Sequence, residues 1–233
     1  MPVVLKARAV SSGYGPRAVV HDIDLEVSSG EVVVLLGANG AGKTTTMLTL
    51  AGVLPMLQGT VELEGVVTRS ALHRRARNGM ALVTEERSVF KGLSCRDNLR
   101  AGDDDVLTMF PELEKRLAVS AGLGSGGEQQ MLTLGRALAR RPRLLLAGEL
   151  SLGLAPLIVG RLLEAVRASA DDDGTAVLLV EQHARKALKY ADRVYVMRRG
   201  RLEMALSASK ARARISEVEA AYISVDGGAR SPD

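Results

Sequence analysis

The chain has 233 residues, 46% of them hydrophobic, with 24 glycines, no tryptophan and a single cysteine, Cys95. A core of Val, Leu, Ala and Ile is therefore expected, as in a mixed sheet covered by helices, and an internal disulfide is excluded. The net charge is +4, from 31 basic and 27 acidic residues, and aromatic stacking platforms are too few to make nucleic acid an expected partner.

Residues 1–10 carry Lys6 and Arg8 inside an alternating run and do not read as a signal peptide. No stretch approaches the ~18 consecutive apolar residues of a membrane span. Ile23, Leu25 and Val27 alternate with Asp24 and Glu26, and Val61 and Leu63 alternate with Glu62 and Glu64. Both patterns predict antiparallel strands with one wet face. Residues 32–36 are apolar throughout, as in a central strand buried on both faces. Glycines crowd 37–42, and 44–54 reads as a helix. Residues 80–84 form the next strand-like run and lead into a charged loop, 85–88. The stretch 93–124 is more polar and reads as helical in pieces, with Asp97 as one cap and Pro111 opening another helix. The run Gly102-Asp103-Asp104-Asp105 is expected to break any continuous helix there. After Gly127, Met131, Leu134 and Leu138 mark one face of a helix that Pro142 closes. Strands follow at 144–147 and 176–180. A hairpin is expected at Arg199-Gly200, between 194–197 and 202–206. The tail 227–233 reads as disordered.

Two segments carry chemistry. Gly37-Ala38-Asn39-Gly40-Ala41-Gly42-Lys43-Thr44 fits the pattern G-x-x-x-x-G-K-[ST] and lies between a buried strand and a helix. Glycines there let successive N–H groups turn inward, and the helix start adds partial positive charge. Lys43 is expected at the β- and γ-phosphates of a nucleotide and the Thr44 hydroxyl on Mg²⁺, with Thr45 beside them. Ser125-Gly126-Gly127-Glu128-Gln129-Gln130 offers a hydroxyl and free N–H groups at a second helix start.

Together these segments resemble the P-loop and signature motif of ABC ATPases, and further matches run from Tyr14 to about residue 206. The resemblance implies an α/β fold of P-loop NTPase type. Its mixed central sheet would carry an N-terminal antiparallel β subdomain and a short helical insert. Residues 1–86 and 126–206 would form the nucleotide-binding core, 87–125 the helical subdomain, and 207–233 a C-terminal helix and tail. Two such chains, identical or not, would pair head to tail, so that Ser125, Gly126, Gly127 and Glu128 of one serve the ATP held by Gly37, Asn39, Gly40, Gly42 and Lys43 of the other. The resemblance further implies transmembrane permease partners and a peripheral place on the cytoplasmic face of the plasma membrane. Tyr14 stands where that family stacks an aromatic on adenine, Glu85 where its Q-loop carries Gln, and residues 151–156 at its D-loop. The segments 110–113, 125–130, 151–156 and 180–182 resemble the ATPases of branched-chain amino-acid importers, although 99–110 is shorter than in that subgroup. Gly124 departs from the usual apolar residue.

The catalytic strand also departs. Leu144-Leu145-Leu146-Ala147-Gly148-Glu149 keeps Glu149 at the position where that family polarises the attacking water, but has Gly148 where the family has the Asp that holds Mg²⁺. Glu85 is a candidate to supply the missing carboxylate. Gln182 falls at the switch histidine's position and His183 follows it. Gln can donate a hydrogen bond to a γ-phosphate but cannot carry a proton. Two readings stay open: an ATPase that powers solute uptake, and a nucleotide-dependent clamp that hydrolyses weakly or not at all.

Overall fold

The computed structural model describes residues 1–99 and 103–223, and the sequence-predicted tail at 227–233 lies outside them. Strands β1 (Val3–Tyr14), β2 (Arg17–Ser28), β4 (Met56–Leu63) and β5 (Val66–Val67) form an antiparallel sheet in the order β2-β1-β4-β5. Strands β3 (Val32–Leu36), β6 (Met80–Val83), β7 (Leu144–Gly148), β8 (Ala176–Glu181), β9 (Arg193–Arg198) and β10 (Arg201–Ser207) form the second, in the order β10-β9-β3-β8-β7-β6. The neighbours from β9 to β6 are parallel, and β10 returns antiparallel through a turn in which Arg199 and Gly200 both have positive φ. The expected mixed central sheet and N-terminal antiparallel β layer are both present.

Strand β3 shows why an unbroken apolar run belongs at the centre. Val33 and Leu35 face the antiparallel layer, packing with Ile23, Leu25 and Val27. Val32, Val34 and Leu36 face the helices on the other side. A period of two on a strand buried on both faces leaves no polar position. The helical face is covered chiefly by α5 (Gly126–Leu138) and α6 (Pro156–Asp173). Met131, Leu134 and Leu138 of α5 are buried there as their spacing predicts.

The remaining helices are α1 (Lys43–Leu50), α2 (Leu72–Arg77), α3 (Cys95–Leu99), α4 (Asp103–Met109), α7 (Ala184–Ala187), α8 (Ala208–Ala213) and α9 (Ile215–Ile223). Pro111 opens a 3-10 segment, Pro111–Arg116. Two expectations are corrected. The first helix ends at Leu50 rather than 54, because the buried Arg75 guanidinium takes the Leu50 carbonyl and Gly52 turns at φ 77°. The cap of α3 is Ser94, whose Oγ accepts the Asp97 N–H at 3.0 Å and donates to its carboxylate at 2.6 Å. Asp104 and Asp105 lie in the first turn of α4, where acidic residues suit the positive end of the helix dipole, and Gly102 of the expected break lies outside the described residues. Among the described residues no helix is long and apolar enough to cross a membrane.

Candidate functional site

The six-stranded sheet ends its parallel strands side by side, and the loops leaving β3, β6 and β7 meet there. They enclose a cleft of about 400 Å³ lined by Val19, Asn39, Gly40, Gly42, Lys43, Thr44, Thr45, Glu85, Glu149 and Leu152. Ligands of open α/β sheets sit beyond the carboxyl ends of the strands in this way.

The loop from β3 to α1 takes its shape from close packing. A Cβ at Gly42 would lie 2.6 Å from Val20 Cγ1, and its φ of 105° suits glycine alone. A Cβ at Gly37 would lie 2.7 Å from the Met197 carbonyl oxygen. Helix α1 has no side-chain cap, so its first N–H groups point at the cleft with no hydroxyl or carboxylate across them. The buried Lys43 ammonium donates to the carbonyls of Gly37 (3.0 Å) and Ala38 (3.1 Å) and pairs with Glu149 Oε1 at 3.4 Å. Glu149 holds φ at 44°, a left-handed conformation unusual for glutamate. Its N–H donates to the Val180 carbonyl, which fastens it to β8.

Met47 packs against the place of the missing Asp. A Cβ at Gly148 would lie 2.8 Å from Met47 Cε and 3.3 Å from its sulfur, so the end of that side chain would have to shift to admit an Asp. A neighbouring cavity of about 230 Å³ is lined by Thr44, Met47, Leu48, Thr84, Glu85, Glu86, Gly148 and Glu149. This hydroxyl and carboxylate lining has the oxygen chemistry that Mg²⁺ takes. No cluster of three or more His, Cys, Asp or Glu able to hold a metal exists among the described residues. The lining therefore fits a cation that draws most of its ligands from phosphate and water.

Ser125, Gly126, Gly127 and Glu128 do not line the cleft. They form the tip of α5, where Ser125 Oγ accepts the Glu128 N–H (3.2 Å) and Glu128 Oε2 accepts the Ser125 N–H (2.7 Å). This is a complete capping box. Arg116 Nε donates to the other Glu128 oxygen at 2.7 Å. Burial alone would lift the Glu128 carboxyl, but the bonds from Arg116 and Ser125 together hold it below the usual carboxylate range. The Arg87 guanidinium lies against Gly126, 2.8 to 2.9 Å from where a Cβ would stand. Gly124 is extended at φ −66°, ψ 149°, and its carbonyl accepts from Gln129.

Tyr14 ends β1 and is 59% exposed, outside the cleft lining. Gln182 is partly buried and His183 exposed, and both follow β8 outside the lining. Sequence reasoning missed Val19 and Leu152 in the lining, as well as Met47 and Glu181. Glu181 is buried and accepts from Ser151 twice, from N at 3.1 Å and Oγ at 2.7 Å. Leu152 and Glu181 fall within the segments 151–156 and 180–182, but no local pattern gives any of these four residues its role, because each acts through a distant segment.

Comparison with known proteins gives concordant results. A family model described as ABC transporter matches residues 20–151. The high-affinity branched-chain amino acid transport ATP-binding protein BraG of Pseudomonas aeruginosa is 43% identical over 211 residues, 84% of this chain and 89% of its own. The lipopolysaccharide export system ATP-binding protein LptB of Escherichia coli K12 is 34% identical over 216 residues, 85% and 88% of the two chains. A solved ATP-binding subunit of an ABC transporter superposes with a TM-score of 0.78 at 26% identity, covering 91% of this chain and 93% of its own.

Proposed function

Because the chain belongs to the ABC transporter family, as one of its ATP-binding subunits, we propose that it hydrolyses ATP between two cassettes to power import of branched-chain amino acids or a related small polar solute. For the solute, the support is 43% identity to a branched-chain amino-acid transport protein against 34% to a lipopolysaccharide export protein. For the chemistry, one observation carries the reading. Lys43 and Glu149 stand 3.4 Å apart in one cleft, so the phosphate-neutralising cation and the water-polarising carboxylate are already together.

In this reading the incoming triphosphate takes the Lys43 ammonium from the Gly37 and Ala38 carbonyls and from Glu149. The N–H groups of residues 39–44 wrap the phosphates, Val19 and Tyr14 border the base, and Thr45 supports the wall. Glu149, freed from Lys43, accepts a proton from the attacking water, while Gln182 donates to the γ-phosphate and His183 stands by as its alternate. Ser125, Gly126 and Gly127 of a second cassette close the site from the other side, with Glu128 holding that tip in shape. Thr44 and Glu85 would hold Mg²⁺, which neutralises phosphate charge when bound. Residues 87–125 would form the subdomain that meets the permease, residues 1–86 and 126–206 the nucleotide core, and 207–233 a C-terminal appendage. The assembly would place this chain peripherally at the cytoplasmic membrane face.

A phosphate-release assay separates this reading from the clamp, which the Gly148–Met47 contact favours. Turnover in the wild type that vanishes in Glu149→Gln, with ATP still bound, supports the enzyme. Bound ATP without turnover supports the clamp. Reconstituted with its permease in vesicles, the complex should take up leucine, isoleucine or valine, and stimulation by lipopolysaccharide instead would overturn the solute assignment.

A further inference from the structure

Among the described residues Glu181 is the only buried carboxylate, 1% exposed. A buried charge is costly unless every oxygen is satisfied, and an apolar residue would continue β8 without that cost. The carboxylate has a use that an apolar residue would not. A carboxylate is an acceptor with two oxygens, so it can gather donors from separate segments. Here it takes the N–H and hydroxyl of Ser151, 30 residues away in sequence, and the N–H of Gln182 beside it. Ser151 lies two residues past Glu149, and Gln182 starts the turn that carries His183.

The two bonds from the turn after β7 to the end of β8 run in parallel. Glu149 N donates to Val180 O at 2.8 Å, and Ser151 N donates to Glu181 Oε1 at 3.1 Å. Between them they bracket Glu149, whose left-handed backbone needs its surroundings to keep it in place. We propose that Glu181 is a positioning residue that locks the turn carrying Glu149 to the turn carrying Gln182, so that the two groups acting on the nucleotide move as one. Burial, and then the Glu149 charge, press the Glu181 carboxyl upward against the pull of its donors.

This inference rests on the hydrolytic reading above, and its test combines turnover with hydrogen–deuterium exchange on Glu181→Ala, Glu181→Gln and Ser151→Ala. Loss of the lock in Glu181→Ala should lower kcat roughly tenfold to hundredfold while KM stays within about twofold. Exchange should rise together in peptides covering 149–154 and 182–187, with those covering 32–36 and 131–138 unchanged. Glu181→Gln keeps an acceptor for Ser151 N and can donate to Ser151 Oγ, so it should restore both readouts. Ser151→Ala loses the hydroxyl bond but keeps Ser151 N on Glu181 Oε1, so it should give a smaller exchange change in the same two peptides. Unchanged exchange in Glu181→Ala, a rise spread over the whole cassette, or Glu181→Gln as impaired as Glu181→Ala would overturn the lock. A wild type without turnover would sink the hydrolytic reading, and the exchange pattern would still decide the lock.

Discussion

Helices α1 and α5 both begin where a phosphate is expected, and they begin differently. Helix α1 opens with Gly42 at φ 105° and no side-chain cap. Helix α5 opens with Ser125 and Glu128 locked in a capping box that Arg116 braces from the helical segment. The first leaves its N–H donors for a ligand and depends on that ligand to satisfy them. The second holds its Glu128 N–H on Ser125 Oγ, a bond in which the oxygen accepts and the Ser125 hydroxyl proton is left to donate to a phosphate. In the proposed reading one tip holds a nucleotide, and the other keeps its shape to meet the nucleotide of a partner.

The largest expected effect is at the open tip. Lys43→Ala should lower ATP turnover ~10²–10³-fold, the loss typical of one preorganised electrostatic donor, as read by phosphate release. A loss under tenfold would mean that the backbone cradle alone does the work. Next is the cation. Gly148→Asp should raise Mg²⁺ affinity ~10–100-fold, most cleanly when combined with Met47→Ala, because the end of the Met47 side chain lies 2.8 Å from the new Cβ position and must shift. Glu85→Gln should impair turnover more in the wild type than in that double variant. Equal impairment in both would remove Glu85 from the cation's shell.

At the capped tip the effect is on shape first. Ser125→Ala should cost about 1 kcal/mol of stability through the lost cap, a fall of ~2–4 °C in Tm for a chain of this size. Lys43→Gln should leave Tm nearer the wild-type value. The smallest effect concerns pH. Burial holds the Glu181 carboxyl above the usual range. A raised folded-state pKa means stability present at acid pH and lost as pH rises through that raised value. Glutamine suffers no such loss, so the Tm of Glu181→Gln minus that of wild type should increase from pH 5 to pH 8. A difference that shrinks would contradict the shift.

What could be read from the sequence follows from how local each feature is. The P-loop and the serine-led segment 125–130 are complete within eight and six residues, so their residue types alone announced them. Strand β3 was legible because burial on both faces leaves no polar position. The end of α1 was not, since it is set by Arg75, 25 residues later. The cap of α3 was misassigned because Ser94 and Asp97 can both cap, and only the fold selects Ser94. Gly148 was visible as a departure, but Met47 as the group that fills the space was not. The Glu181–Ser151 link needs β7 and β8 to be neighbours before it exists at all.

The most direct test is sedimentation of Glu149→Gln with and without ATP, alone and combined with Ser125→Glu. The account predicts an ATP-dependent dimer that the added carboxylate at residue 125 abolishes, while a single chain still binds ATP. A nucleotide-loaded monomer in Glu149→Gln, or a dimer indifferent to Ser125→Glu, would contradict a site shared between the open tip of one cassette and the capped tip of another.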